Sequence, residues 1–239
     1  LIGQNAALEV DGTAYWMSEN GFFKYAGNLE TMLCLVEDFV YDDINTTARQ
    51  LINVGLNNLF GEITWFYCTE GSTVVNRCVT YNYQENVWTT SSLDRSTYQD
   101  QGVFNKPYAT DYDSTDTPVF SEISGITNKY GASVYYAHEV GNDQVKGGTT
   151  TSINAFIRSG DFDIDDGELF MSMRRFMPDY KFLIGNSKVT LFISDFPSDT
   201  QTGSPLGPFT ITSTTDKVDT RARGRLVSLR IENESVGET

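Results

Sequence analysis

Between Phe60 and Thr90 the chain reads FGEITWFYCTEGSTVVNRCVTYNYQENVWTT, and no other stretch limits the fold as much. Two runs rich in β-branched and aromatic residues, Glu62 to Cys68 and Val74 to Tyr83, flank a short Glu-Gly-Ser turn. A third run opens at Val87-Trp88 after the polar break Gln84-Glu85-Asn86. Such side chains suit a pleated, half-buried surface, and Gly admits the reversal between strands, so the stretch predicts an antiparallel meander. One small sheet cannot bury both of its faces, so neighbouring sheets are required.

The residues before it predict such a neighbour. In ALEVDGTAYWMSENGFFKY, from Ala7 to Tyr25, Asp11-Gly12 and Glu19-Asn20-Gly21 are turns between three short strands. Ala14-Tyr15-Trp16 and Ile63-Thr64-Trp65-Phe66 lie about 50 residues apart, a spacing that suits successive β-propeller blades. In a blade a strand ends on a Tyr, turns through Asn, and the next opens on a Trp that packs between sheets. Trp16, Trp65, Tyr81 and Trp88 are the expected blade aromatics.

Between the two meanders, Met32–Tyr41 reads as an apolar strand and Thr46–Leu51 as a single helical turn capped by Asn45. Asp111 to Thr117 is polar enough for an exposed loop, and Val119–Ile123, Ala132–His138 and Thr151–Ser159 read as strands. After Ser159 the rhythm changes. Phe182–Ile184, Lys188–Ser194, Phe209–Thr215 and Arg225–Glu232 are strand candidates, with Val189, Leu191 and Ile193 alternating against Lys188, Thr190, Phe192 and Ser194. The Gly and Pro content of Pro197 to Pro208 predicts an irregular link. The expected fold is all-β: propeller blades over 1–159, then a small β-sandwich or barrel-like platform over 160–239.

The 239 residues carry a formal charge of −15, which argues against a sequence-independent nucleic-acid binder, because that role needs excess Lys and Arg. It leaves room for a surface past which DNA slides. Residues 1–150 carry 7 basic and 19 acidic side chains, and residues 151–239 carry 10 and 13, so the second part is chemically distinct. No apolar run reaches the roughly 20 residues of a membrane helix and no signal peptide opens the chain, which reads as soluble with no membrane span. Beginning at Leu1 rather than Met, it reads as a mature product or a piece of something longer. Cys34, Cys68 and Cys78 lack metal-ligand spacing and are expected as buried thiols.

Motifs that would carry catalysis are weak. Asp161, Asp163, Asp165, Asp166 and Glu168 lack the Gly and bidentate Glu positions of a calcium loop, and fit acids on the solvent face of a strand. His138 is the only histidine and has no G-x-S-x-G or Cys–His context, so it reads as a hydrogen-bonded strand-end residue. The sialidase-type Ser-x-Asp-x-Gly box and a phosphate-binding G-x-x-x-x-G-K-[ST] loop are both missing from the sequence. No cofactor, metal site or enzymatic activity is therefore expected.

The sharpest charge feature is TDKVDTRARGRLVSLRIE. Arg221, Arg223 and Arg225 share parity and would project to one face of a strand, with Arg230 further along and Gly224 as a possible interruption. Three readings compete: a solvated edge, a stripe of inter-subunit ion pairs, and a phosphate contact. The acidity of the rest of the chain favours subunit contacts for these four arginines.

Taken in order, ITWFYCTEGSTVVNRCVTYNYQENVWTT, the Gly102 to Tyr108 segment, YGASVYYAHEVG and VDTRARGRLVSLRIENES resemble the tail nozzle proteins of short-tailed bacteriophages. That family is also called tail tubular protein B or packaged-DNA stabilisation protein. The resemblance implies a non-enzymatic virion protein that forms a homohexameric tube below the portal and adaptor rings. Blades would project outward and a β-rich platform would surround a channel. Its implied partners are copies of itself, the adaptor (head-to-tail connector) protein, tail fibres or other tail proteins, and double-stranded DNA in transit. Its implied location is the virion, after assembly in the host cytoplasm. The residues also leave two other readings, a carbohydrate-binding or glycosidase-like propeller and a generic propeller scaffold for protein partners.

Overall fold

The computed structural model describes residues 1–113, 132–139, 141, 143–146, 149–164, 168–196 and 205–233, and they are almost entirely β. Numbered in chain order, the strands of the first part are β1 (Ala7–Val10), β2 (Thr13–Ser18), β3 (Gly21–Tyr25), β4 (Leu29–Met32), β5 (Asn53–Asn57), β6 (Glu62–Tyr67), β7 (Arg77–Asn82), β8 (Val87–Ser91), β9 (Thr97–Gln99), β10 (Tyr108–Asp113) and β11 (Ala132–Ala137). The second part has β12 (Asp143–Lys146), β13 (Thr149–Ser152), β14 (Phe156–Arg158), β15 (Met171–Phe176), β16 (Ser187–Ser194), β17 (Leu206–Ile211), β18 (Val218–Gly224) and β19 (Leu226–Asn233). Two compact units result, Leu1–Glu139 and Val140–Thr239, so the division falls earlier than the change of rhythm after Ser159 suggests. The reason is pairing: β14, read as part of the first region, hydrogen-bonds to β19 near the end of the chain.

In the first unit, β1-β2-β3-β4 and β5-β6-β7-β8 are two antiparallel meanders, each with its strands in chain order. Asp11 and Gly12 both have positive φ (50° and 81°), the geometry of a two-residue hairpin turn whose twist matches the flanking strands, as the Asp-Gly pair requires. At the other predicted turn, Asn82 Oδ1 accepts from the backbone N–H groups of Gln84 and Glu85, and Asn86 sits at φ 55°. The two meanders pack face to face. Val10, Met17, Phe22 and Met32 of the first meet Ile63, Trp65, Val79, Tyr81 and Trp88 of the second in one core.

The opposite face of the second meander is also covered. Phe66, Cys68 and Cys78 pack with Ala48, Val75, Leu93 and Tyr98. Tyr98 belongs to a third sheet, β11-β10-β9, and stacks on Phe66 at 5.8 Å between centroids. A Cβ on Gly55 would fall 2.5 Å from the Tyr98 ring, so glycine at this position lets the ring lie against β5. The three free thiols are buried, and burial pushes Cys34 and Cys78 up to about 11.

Four local expectations change. Met32–Tyr41 is not one strand: β4 ends at Met32 and Glu37–Tyr41 forms a short helix with Glu37 and Asp38 in its first turn. Asp111 is buried inside β10 rather than in an exposed loop, paired with Val134 of β11, and residues 114–117 of the expected loop lie outside the described residues. Leu206–Pro208 enters β17 at a sheet edge, where a proline costs no ladder bond on its outer side. Thr46–Leu51 is a 3₁₀ turn with Asn45 Oδ1 accepting from Thr47 N at 3.0 Å, as its capping residue predicts. Phe182–Ile184 is not in a strand, and Val119–Ile123 lies outside the described residues.

The second unit has a four-stranded antiparallel sheet, β14-β19-β16-β17, and two paired ribbons, β15-β18 and β12-β13. The expected alternation holds only in part: Val189 and Leu191 are buried, but so are Thr190 and Ser194 of the opposite parity, and Ile193 is half-buried. Leu191 and Ile193 share a core with Val227 and Leu229 of β19 and Met171, Met173 and Ala222 of the β15-β18 ribbon. The sheet and that ribbon thus form two layers around one small core.

Trp65 is fully buried in the inter-sheet core, whereas Trp16 points to the other side of β2 and stacks on Phe23 at 5.8 Å. Trp65→Ala is expected to cost about 3–5 kcal/mol and Trp16→Ala less than half of that, read as shifts in the urea midpoint of the first unit.

Candidate assembly surface

The four arginines singled out in the sequence do not form one stripe. Arg221 and Arg223 are exposed on β18 and alternate with buried Thr220 and Ala222, so their shared face is real. Gly224 ends that strand: a Cβ there would run into Ile193 Cγ2, and the chain bends so that Arg225 N donates to Ser194 O at 3.2 Å. Arg225 is half-buried past the bend. Arg230 lies on β19 in the other layer, half-buried and ion-paired to Glu232 at 2.7 Å.

An aromatic ring accompanies three of them. The guanidinium of Arg223 lies 5.6 Å from the Phe170 centroid, that of Arg225 5.5 Å from Phe196, and that of Arg230 4.1 Å from Phe156. Arg158, which the sequence reading passed over, sits 4.1 Å above Phe192 and donates to Ser228 Oγ at 3.2 Å. Such pairs contribute about 0.5–1 kcal/mol each when exposed. They hold guanidinium groups flat against rings that are themselves exposed, as Phe156, Phe170 and Phe196 are. The signal for Arg158 was available in the alternation of Phe156, Ile157 and Arg158, but its register to Arg230 is a product of folding.

Of the four aromatics expected to pack between sheets, Trp65 and Trp88 meet at Phe22, and Tyr81 packs on Trp88. The Phe22 ring lies 5.1 Å from Trp65 and 4.7 Å from Trp88, while Tyr81 and Trp88 are 4.7 Å apart. Both indole N–H groups donate to backbone carbonyls flanking the first meander, Trp65 to Ala6 at 3.0 Å and Trp88 to Leu33 at 2.9 Å. Trp16 stands apart from this cluster, because strand parity sends Tyr15 and Met17 to the core instead.

His138 follows β11 and is tied into the third sheet. Its Nε2 accepts from Arg95 Nε at 3.2 Å, its backbone N–H donates to Pro107 O, and Tyr98 meets the ring edge-on at 5.3 Å. Arg95 is buried with its guanidinium 3.8 Å from the Tyr136 ring centroid. Burial, and then the neighbouring Arg95 charge, push the imidazole down to about 4. A proton-accepting nitrogen occupied by a cation's N–H is poorly placed for general-base work. Two shallow clefts of about 330 and 320 Å³ occur elsewhere, the first lined by Glu62, Thr80, Asn82, Glu85, Val87 and Thr89 and the second by Pro178, Tyr180, Lys181 and Phe182 among others. Among the described residues no group of three or more His, Cys, Asp or Glu is arranged to hold a metal ion. Nor is any helix among them long and apolar enough to cross a membrane.

No protein-family model matches this chain, and no curated protein matches it.

With a folded pKa near 4 against an ordinary 6.5, His138 takes up its proton in the unfolded chain first as pH falls. Its contribution to stability is therefore present above pH 6.5 and lost between about 6.5 and 4. In urea titrations across that window, His138→Gln is expected to lose less stability than the wild type; parallel losses would show that the imidazole is not held neutral.

Proposed function

We propose that this chain is a structural subunit of a phage tail nozzle, assembling with copies of itself into a ring or tube that retains packaged DNA and conducts it during ejection. The order of motifs that resembles the nozzle family supports this reading. So does one observation above all: among the described residues of Val140–Thr239, twelve large hydrophobic side chains are exposed and seven hydrophobic residues are buried. That balance supports a surface that a partner covers, as exposed apolar area at association sites does.

The stacked meanders of the first unit supply a second line of support. Sheets with strands in chain order, packed face to face in succession, are how a propeller is built, and the reading takes them as blades. A chain of charge −15 suits a passage for DNA, because an acidic wall repels the phosphates and lets the duplex slide where a basic one would grip. In this reading the adaptor protein, tail fibres or other tail proteins bind the assembled particle.

The test is the native particle, by electron microscopy and native mass spectrometry: a ring or tube of about six copies supports the reading, and a solitary monomer contradicts it. Arg223→Glu reverses charge on an exposed face, and is expected to weaken assembly while leaving the circular dichroism spectrum unchanged. A carbohydrate-binding reading would use the cleft that Glu62 and Glu85 line. Specific retention on a glycan array, abolished by Glu62→Gln, would favour it over the nozzle.

A further inference from the structure

The β15-β18 ribbon turns one face to the core of the second unit and the other to solvent. Met171, Met173, Phe176 and Ala222 pack inward. On the outer face Ser172 stands opposite Arg223 and Arg175 opposite Asp219. Between these pairs the register shifts, so that Arg174 of β15 faces both Thr220 and Arg221 of β18. A bulge of this kind re-aims side chains. Arg174, Arg175 and Arg221 are all exposed, and the bulge gathers them from two distant parts of the chain.

This gathering runs against the composition. The chain holds 32 acidic and 17 basic residues, so a basic side chain has acids in excess to pair with. Lys24, Arg49, Arg77, Lys106 and Arg230 each have a carboxylate partner. At the bulge, among the described residues, only Arg175 has one, Asp219 at 3.1 Å. Both side chains of that pair are more than half exposed, where an ion pair is held weakly. Arg174 and Arg221 have no acidic partner among the described residues. Arg223, further along β18, leans on exposed Phe170 and borders the apolar surface invoked for assembly.

We propose that Arg174, Arg175 and Arg221 form a contact for the phosphodiester backbone of duplex DNA. A guanidinium stays charged and offers a planar fork that matches phosphate oxygens. A nucleic-acid strand presents a phosphate every ~3.4 Å of axis, so arginines grouped on one ribbon find partners whatever the base sequence. Carboxylates on a protein surface follow no such repeat. The choice of DNA rests on the nozzle reading above, and it gives passage and retention separate causes. The acidic chain repels the duplex, and one small basic spot holds it through few enough contacts to let go.

The test is a titration of the full chain against a fluorescent DNA duplex, read by anisotropy over a range of salt concentrations. Each phosphate contact contributes roughly 0.9 to the slope of log K against log salt, so three contacts give a wild-type slope of about −2.7. Arg174→Gln/Arg221→Gln is expected to flatten the slope to about −0.9 and to weaken binding at low salt roughly tenfold or more, with thermal melting unchanged. Arg49→Gln/Lys106→Gln removes the same charge from the first unit, and is expected to bind as the wild type does. A wild type without salt-dependent binding overturns the contact, and so does an equal loss in both double variants, which would be an effect of net charge alone. If Arg174→Gln/Arg221→Gln keeps its DNA affinity but loses self-association in sedimentation, the face serves a protein partner and the proposal is wrong. A wild type that assembles into rings and ignores the duplex ends this proposal and leaves the assembly reading standing.

Discussion

Everything in the first unit depends on the seam where Phe22 meets Trp65 and Trp88. Each four-stranded meander carries an apolar face that needs cover. The seam supplies that cover with the largest side chains available and satisfies both indole N–H groups on backbone carbonyls flanking the first meander. A buried Trp with an unpaired N–H would give back about 1–3 kcal/mol of what its packing contributes. The aromatic contact and the two hydrogen bonds therefore fix the angle and register between the sheets together. From that seam outward, Phe66 carries the packing through the second meander to Tyr98, and Gly55 leaves room for the ring.

Much of this was legible in the chain. Asp11-Gly12, Asn82 and Asn86 mark turns through φ preferences and side-chain hydrogen bonds that act within a few residues, so the hairpins stand where the sequence puts them. Strand parity was legible in part: Val189 and Leu191 are buried as their spacing suggests, but Thr190 and Ser194 between them and beyond are buried too. What was hidden depends on long-range pairing. Nothing local in Phe156–Arg158 announces that its partner is β19 more than seventy residues later, so the unit boundary falls before β14. Trp16 looks like Trp65 in composition, but a one-residue difference in phase sends it to the opposite face. The Arg221, Arg223 and Arg225 stripe breaks because Gly224 meets Ile193, a contact between layers that no spacing rule contains.

The second unit follows a different logic. Its core is small, and its arginines lie against exposed phenylalanines instead of covering buried ones. An Arg held flat on a ring keeps its charge in water while its planar face shields apolar carbon. In the proposed assembly the same rings exchange water for a neighbour's side chains without refolding.

Sheets of the first unit cover one another through an aromatic seam, and in the proposed assembly the exposed apolar face of the second unit is covered by other copies. Amide hydrogen exchange, followed as a function of protein concentration, tests that pairing of ideas most directly. The amides of Phe156 and Arg158, on the exposed apolar strand of the second unit, should gain protection as concentration rises, while those around Trp65 stay protected throughout. Exchange at Phe156 and Arg158 that is fast and independent of concentration, in a preparation shown to be assembled, would contradict the self-assembling reading.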